Sequence, residues 1–230
     1  MAAGASSTAS PLPAPRGGGA VVPRLPRAVL ERFSLYLREL EALHARGVTT
    51  VSSQELGRTL GLTPAQVRKD LNAVGPLGAR GVGYRVELVV GALRRAIGTD
   101  RTWTLALVGV GHLGSALVRH AGFREQGFYF TAIFDRLPEL CGRSIDGLVV
   151  QHVDELVPTV RRLGIEIGII AVPPEQAQPV AELLVAAGVK GILNFAPAAL
   201  EVPPDVQVVN ADLGFFLEQL THHIVSMPRR

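Results

Sequence analysis

The sequence contains few of the residues on which several classes of protein depend. Its only cysteine among 230 residues is Cys141, so an internal disulfide and a cysteine-rich zinc site are both excluded. No apolar run approaches the roughly 18 to 20 residues that a membrane-spanning helix needs. Residues 1–20 lack the apolar segment of a secretory signal. These absences favour a cytoplasmic protein without a metal site and without a membrane partner.

Charge is divided unevenly along the chain. Residues 25–98 carry 11 Lys and Arg against 6 Asp and Glu, a net +5, whereas residues 99–211 carry 8 against 12, a net −4. This split is expected if only the first segment binds a polyanion, although counts of this size also arise by chance. The preceding residues 1–24 are rich in Ala, Ser, Gly and Pro without apolar periodicity, and we predict that they form a disordered tail.

The basic segment begins with the pattern of two helices. Residues 26–46 repeat apolar side chains at steps of three and four, which predicts an amphipathic helix. A second, short helix is predicted over residues 54–60. Ser52 precedes it as N-cap with Glu55 three residues on, a capping-box pattern, and Gly61 ends it.

A third helix, over residues 65–74, is predicted from Thr63 as N-cap and Pro64 at its first position. It follows the second helix after a three-residue turn, which is the spacing of a helix-turn-helix. Val67, Leu71 and Val74 form its apolar side. The polar side chains that remain for base edges or phosphates are Gln66, Arg68, Lys69 and Asn72. A small helical domain with a solvated basic face is the alternative to DNA binding.

A glycine-rich stretch, residues 78–86, follows and is predicted to form a short hairpin or wing. It contributes three more candidate DNA contacts, namely Arg80, Tyr84 and Arg85. A linking helix is predicted over residues 87–97 with Leu88, Leu93 and Ile97 on one side, and the polar residues 98–101 are the best domain boundary.

The second half opens with a dinucleotide-binding pattern. A buried strand over residues 103–108 leads into Gly-x-Gly-x-x-Gly at 109–114 and then into a helix over residues 115–120. Gly109 makes the tight turn, Gly111 admits the pyrophosphate, and Gly114 lets the helix pack closely. The pyrophosphate would lie on the helix N-terminus, where backbone N–H groups are free.

An acidic residue stands where such a domain needs one. Residues 128–134 predict a second strand, and Asp135 ends it 21 residues after Gly114. Its carboxylate would accept hydrogen bonds from the adenosine ribose hydroxyls and repel a 2′-phosphate, which favours NAD(H) over NADP(H). Arg136 is the next residue, and its positive charge would weaken the preference for NAD(H) over NADP(H).

Strands and helices alternate to residue 210, which predicts a parallel sheet with helices on both faces. Residues 171–174 and 194–197 follow strands and should border the site, although their prolines are equally expected as simple loop terminators. Residues 212–225 then predict an amphipathic helix that needs an apolar surface, which a partner subunit would supply. Asp212 opens this helix, either as an ordinary N-cap or as part of a switch.

Taken together, these motifs resemble the bacterial Rex family of redox-sensing repressors over roughly residues 25–226. The segments that carry the resemblance are residues 51–56, 65–71, 80–84, 108–114, 134–135, 194–197 and 212–213. It implies an α/β chain with a winged helix-turn-helix domain (25–98), a Rossmann-type doubly wound parallel sheet (99–211) and a domain-swapped C-terminal helix (212–230). The chain departs from the family pattern at one place. Family members often carry Tyr-Pro-Gly-Phe where residues 120–123 here are His-Ala-Gly-Phe.

The resemblance also implies a function. A homodimer would bind a palindromic operator, NADH would release it, and NAD⁺ would compete. Ser53 joins the helix and wing residues as a candidate DNA contact. The candidate cofactor-binding residues are Gly109, Val110, Gly111, His112, Leu113, Gly114, His120, Asp135, Arg136, Val172, Pro173, Asn194 and Asp212.

An NAD-dependent oxidoreductase with an accessory basic domain is the competing hypothesis. A dehydrogenase needs a general acid or base near the hydride. The two lysines, Lys69 and Lys190, are not part of a Tyr-x-x-x-Lys pair, and only about 20 residues follow the nucleotide-binding segment, too few for a substrate domain. A histidine near the loop, such as His112, is more often a bystander than a catalyst. We therefore expect a sensor rather than an enzyme, and a structural module would bind neither ligand.

Overall fold

The computed structural model describes residues 25–79 and 81–227 of the chain. The predicted tail, residues 1–24, and the wing residue Arg80 lie outside the described residues. The chain divides into two compact units between Arg101 and Thr102, next to the polar segment at 98–101. Within the described ranges, no helix is both long and apolar enough to cross a membrane.

The first unit is a winged helix. Its helices are α1 (Arg27–Ala45), α2 (Ser53–Leu60), α3 (Pro64–Asn72) and α4 (Val86–Ile97). Its short strands are β1 (Thr50–Val51), β2 (Gly78–Ala79) and β3 (Gly83–Arg85), paired antiparallel in the order β1-β3-β2. Helices α2 and α3 form the helix-turn-helix and the β2–β3 hairpin is the wing, so the sequence prediction is confirmed.

The ends of α2 and α3 are set by local hydrogen bonds. Ser52 Oγ accepts from the Glu55 backbone N–H at 3.1 Å, and the Ser52 N–H donates to Glu55 Oε2 at 2.8 Å, which completes the predicted capping box. Gly61 ends α2 at φ +67°, a conformation that favours glycine. Thr63 Oγ1 then accepts from the Gln66 N–H at 3.1 Å and caps α3. The ends of the two helices are therefore determined by Ser52, Glu55, Gly61 and Thr63.

One prediction about α4 is wrong. Leu88 was expected on the apolar side of this helix, yet it is 46% exposed. The buried side is formed by Val86, Val89 and Leu93, which are spaced by three and four residues and pack into the same core as α1. Leu88 lies about 100° around the helix from Val89 and therefore points away from that core.

A buried carboxylate connects α3 to α1. Asp70 is 4% exposed and accepts two hydrogen bonds from the Arg32 guanidinium, at 2.6 and 2.9 Å. The Tyr36 hydroxyl donates to it at 2.9 Å and the Gln66 side-chain amide at 2.8 Å. Burial acts to raise the pKa of Asp70, but the hydrogen bonds from Arg32, Tyr36 and Gln66 outweigh it and leave the pKa below its ordinary value. These bonds fix which face of α3 turns inward.

The substitution Asp70→Asn should therefore destabilise the first unit. It keeps the size of the side chain but leaves the part-buried Arg32 guanidinium without its anion, at a cost of about 2–3 kcal/mol in the free energy of unfolding. Because the folded state depresses the pKa of Asp70, this contribution is present at neutral pH and is lost as pH falls through the acidic range. Urea denaturation at neutral and acidic pH should show the difference from wild type shrinking in acid.

A matched control is available on α1. Glu31 pairs with Arg27 at 2.9 Å, but both side chains are more than half exposed. Glu31→Gln should therefore change the free energy of unfolding by less than about 1 kcal/mol. An equal loss in both variants would contradict the role given to burial.

The second unit contains a seven-stranded sheet within residues 102–227. Its strands are β4 (Trp103–Val108), β5 (Phe128–Asp135), β6 (Ser144–Ile145), β7 (Leu148–His152), β8 (Ile167–Ile170), β9 (Gly191–Asn194) and β10 (Gln207–Asn210). The order is β10-β9-β8-β4-β5-β7-β6. Without β6, this is the strand order of a Rossmann domain, with its switch point between β4 and β8. Every pairing is parallel except that of β6 with β7, a short hairpin that the sequence prediction missed.

Apolar side chains alternate along the central strand and cover both faces of the sheet. Leu107 packs in one cluster with Val118 of α5 (His112–Arg119), while Val108 packs in another with Leu184 of α8 (Pro174–Ala187). Three further helices complete the unit: α6 (Ala121–Glu125), α7 (Leu156–Leu163) after a 3-10 turn (Val153–Glu155), and α9 (Leu213–Val225). The doubly wound fold predicted from the sequence is confirmed.

Candidate functional site

The glycine loop between β4 and α5 is shaped by close backbone contacts. Gly109 has φ +95°, and a Cβ built on it would lie 2.4 Å from the carbonyl oxygen of Ala171. A Cβ on Gly114 would lie 1.9 Å from the carbonyl oxygen of Gly109. Both positions therefore require glycine, one for the turn and one for the approach of α5 to β4.

Gly111 has a different environment. A Cβ built on it would have no heavy atom within 4 Å, so the space above this residue is open. Gly111 is also the N-cap of α5, and no side chain caps the helix there. The first-turn N–H groups of a helix have no intrahelical acceptor, and together with the helix dipole they favour a phosphate. The glycine loop therefore has no room for a side chain at Gly109 and Gly114, whereas the space next to Gly111 is open.

Asp135 links this loop to the loop that follows β5. Its Oδ2 accepts from the Val110 backbone N–H at 2.8 Å, and its Oδ1 accepts from the Leu137 N–H at 3.0 Å. The residue is 7% exposed. Each carboxylate oxygen has a further lone pair, so the side chain keeps acceptor capacity for a ligand hydroxyl. The sequence predicted that capacity but not the structural role.

A groove of about 310 Å³ lies beside the switch point. Six predicted residues line it: Gly109, Gly111, Asp135, Arg136, Val172 and Pro173. Most of the remaining wall is apolar and was missed, including Leu137, Leu140, Val153, Pro179, Val180 and Leu183. An apolar slot beside an anion-binding helix end suits a flat, uncharged ring attached to a phosphate. These residues carry no motif, and only the sheet order brings them together.

Asn194 has a structural role that the sequence did not predict. It was predicted to contact a cofactor, but it is 0% exposed and its side chain is occupied inside the fold. Its Nδ2 donates to the carbonyl oxygens of Ala196 and Ala198 and to Asn210 Oδ1, all within 3.0 Å. Its Oδ1 accepts from the Ala196 N–H at 3.0 Å. The amide holds the loop after β9 against the end of β10, so this side chain has a structural role, and its predicted cofactor contact stays a prediction.

Several other predicted cofactor residues are not among those that line the groove. Val110 is buried and contributes its N–H to Asp135, while His112 and Leu113 are exposed on the first turn of α5. His120 precedes α6 and packs edge-on against Phe123, with ring centroids 5.2 Å apart.

Asp212 has a local role at the start of α9. Its Oδ1 accepts from the Phe215 N–H at 3.2 Å, which is the bond of an N-cap. The cap that the sequence offered as one of two readings is therefore formed. The switch role stays a prediction.

The exposed side of α3 differs from the sequence prediction at one position. Ala65, Arg68, Lys69 and Asn72 are exposed and follow steps of three and four, so they form one outward face. Gln66 is instead half-buried, and its amide donates to Asp70 on the side that faces α1. Its predicted pairing with adenine through both amide atoms is not available in this geometry.

The wing residues Tyr84 and Arg85 differ in exposure. Arg85 is exposed, but Tyr84 is 6% exposed and belongs to the core of the first unit. Burial raises the pKa of Tyr84, against the opposing effect of the nearby Arg68 charge. β3 turns the Tyr84 side chain inward and Arg85 outward, so most of the Tyr84 ring is turned away from a ligand, and its predicted DNA contact stays a prediction.

Comparisons with known proteins agree with this division. Residues 24–72 match the family model described as "Putative DNA-binding protein N-terminus", and residues 100–198 match that of the CoA binding domain. The redox-sensing transcriptional repressor Rex of Carboxydothermus hydrogenoformans is 48% identical over 201 residues, 87% of this chain and 97% of that protein. Rex of Syntrophobacter fumaroxidans is 44% identical over 202 residues, 87% and 96%.

A solved structure matches the same share of the chain as these relatives. RSP, a Rex-family repressor, in complex with β-NAD⁺ and operator DNA superposes with a TM-score of 0.84 at 37% identity, covering 87% of this chain and 93% of that one. The fold and the two sites define a transcriptional regulator that joins a winged helix to a nucleotide-binding domain. The chain belongs to the Rex family of redox-sensing transcriptional repressors.

The glycine loop yields a paired stability prediction. Gly114→Ala places a methyl group against the backbone of Gly109 and should lower the free energy of unfolding by about 2–3 kcal/mol or more. Gly111→Ala meets open space at a negative φ and should lower it by less than about 1 kcal/mol. Thermal denaturation of both variants measures the difference. A Gly114→Ala protein as stable as wild type would show that the loop does not need this contact.

Proposed function

We propose that this chain is a redox-sensing repressor that binds operator DNA as a homodimer in the cytoplasm and releases it when NADH binds, with NAD⁺ competing. One observation carries the proposal: a cationic outward face on the helix-turn-helix and an open glycine-loop groove occur in the same chain. Two complexes of RSP support it, one with β-NAD⁺ and operator DNA and one with β-NADH.

On the DNA side, Arg68, Lys69 and Asn72 of α3 would enter the major groove. Arginine pairs with guanine, asparagine with adenine, and lysine with phosphate. Arg85 of the wing, which is exposed, would contact the backbone. Arg80 is assigned to the wing contact from the sequence alone.

On the cofactor side, the adenine would occupy the apolar slot between Leu140 and Pro179. The pyrophosphate would lie over Gly111 at the start of α5, and Asp135 would accept from the ribose hydroxyls. A carboxylate there disfavours a ligand with a phosphate on that ribose. NADPH and CoA both carry one, so the groove favours NADH, although one half of the chain matches a CoA-binding model.

The comparisons support a sensor rather than an oxidoreductase, because the RSP complexes with β-NAD⁺ and β-NADH are those of a Rex-family repressor. A hydride-transfer enzyme needs a group poised to exchange a proton with substrate. Neither Lys69 nor Lys190 belongs to a Tyr-x-x-x-Lys pair that would supply one. We therefore propose that NADH is a signal here and is not consumed.

The function is tested by fluorescence anisotropy with the operator duplex of the RSP complex. Wild type should bind the duplex, and NADH should release it, while NADPH and CoA should act only at much higher concentrations. Arg68→Ala should weaken operator binding about tenfold to a hundredfold because a base contact is lost, and should leave NADH affinity unchanged. Asp135→Ala should leave operator binding unchanged. It should lower the affinity for NADH, measured by calorimetry, and reduce the preference for NADH over NADPH.

The competing function predicts a different result. An oxidoreductase would oxidise NADH steadily in the presence of small carbonyl compounds, and it would not bind the duplex. That combination would refute the repressor proposal. A protein that binds neither the duplex nor NADH would instead indicate a structural module.

The homodimer is supported by the surface of α9. This helix is rich in apolar side chains that are about half exposed or more in the single chain: Leu213, Phe215, Phe216, Leu217, Leu220 and Ile224. An exposed apolar helix of this kind marks a contact surface. A second copy of the chain would bury it, as the family resemblance implies for an exchanged C-terminal helix.

The double substitution Phe216→Asp and Leu220→Asp should therefore yield the 24.4 kDa monomer by light scattering, because two charges would enter the apolar contact. Glu218→Gln, on the opposite side of α9, is the matched control and should leave the dimer intact. A stable dimer that still responds to NADH after removal of residues 212–230 would contradict the exchanged helix.

A further inference from the structure

Two serines open α2, and only one of them caps it. The capping box uses Ser52 and Glu55 for both of its hydrogen bonds. The hydroxyl of Ser53 accepts instead from Arg68 Nη1 at 3.2 Å, across the helix-turn-helix from α2 to α3. Ser53 thus has a side-chain contact that helix capping does not explain.

Arg68 is a side chain for which such a contact matters. It lies on the exposed face of α3, and a long exposed arginine samples many rotamers. Ordering it on a binding surface costs conformational entropy unless it is held beforehand. The buried Tyr84 ring lies near enough for the Arg68 charge to oppose the rise in its pKa, so the guanidinium has a neighbour in β3 as well as in α2.

We propose that Ser53 is a positioning residue for DNA recognition, and that its hydroxyl holds Arg68 in the orientation in which α3 presents it to a base or phosphate. A guanidinium has five N–H donors, so the bond to Ser53 leaves four for DNA. The proposal rests on the proposed function, since it assumes that the outward face of α3 binds the operator. It assigns Ser53 an effect through Arg68 rather than a contact of its own.

A double-mutant cycle distinguishes these two roles. Ser53→Ala, Arg68→Ala and the double variant are compared with wild type by anisotropy on the operator duplex of the RSP complex. Ser53→Ala should weaken binding roughly two- to tenfold, the range expected from releasing one long side chain. In the Arg68→Ala background, the same substitution should cause no further loss, because the side chain that it positions is gone.

Three further variants separate positioning from stability. Ser53→Thr keeps the hydroxyl and should retain wild-type affinity. Ser53→Ala should melt at the wild-type temperature, because Ser52 and Glu55 still close the capping box, whereas Ser52→Ala should melt lower. In a Lys69→Ala background, Ser53→Ala should show its full effect, since Lys69 is not the residue that Ser53 holds.

The outcomes also separate this proposal from the function on which it rests. A wild-type protein that does not bind the duplex overturns both. If wild type binds but Ser53→Ala binds equally well, only the positioning role is refuted. The same holds if Ser53→Ala and Arg68→Ala weaken binding independently, or if Ser53→Thr loses as much affinity as Ser53→Ala, because Ser53 would then contact DNA itself or act without its hydroxyl.

Discussion

The carboxylate of Asp135 holds together the two loops from which the nucleotide groove is built. It accepts from the Val110 N–H in the glycine loop and from the Leu137 N–H after β5, so it fixes the spacing of the adjacent ends of β4 and β5, next to the switch point. Buried backbone N–H groups need acceptors, and an acidic side chain provides two oxygens at once. The acidic residue of a dinucleotide-binding domain is therefore also a structural residue, and its ligand contacts depend on a geometry that it helps to maintain.

The first unit depends on a carboxylate in the same way. Asp70 draws α3 towards Arg32 and Tyr36 of α1, and Gln66, one turn earlier, follows it inward. Once that side of α3 is fixed, the helical repeat sets Arg68 and Lys69 outward. The residues that a DNA duplex would contact are thus oriented by polar residues that it would never contact.

Sensing requires that the dinucleotide bind two states of the repressor with different free energies. A dinucleotide in the second unit changes operator binding only if it prefers one state of the repressor, and the operator must then change dinucleotide affinity by the same factor. A nearly complete release requires a preference of several kcal/mol. An exchanged α9 would couple two copies of the chain, so that a shift in one nucleotide-binding domain reaches both winged helices.

Sequence alone determined what depends on neighbours along the chain. The capping box of α2, the Thr63–Pro64 start of α3 and the glycine loop were predicted from consecutive residues, because caps, turns and left-handed glycines are local features. The alternation of strands and helices likewise predicted a parallel sheet with helices on both faces, whereas the order of its strands came from the structure.

Only the tertiary structure decided which polar side chains were free to bind. Asn194, Gln66 and Tyr84 belong to residue types that commonly contact ligands. In the structure Asn194 bonds to Asn210 of the neighbouring strand, Gln66 bonds to an Asp70 that is drawn towards α1, and Tyr84 is buried in the core of the first unit. The apolar wall of the groove, with Leu140 and Pro179, likewise has no local signature. Burial and hydrogen bonding are shared between segments far apart in the chain, and a pattern of residue types does not record which segments meet.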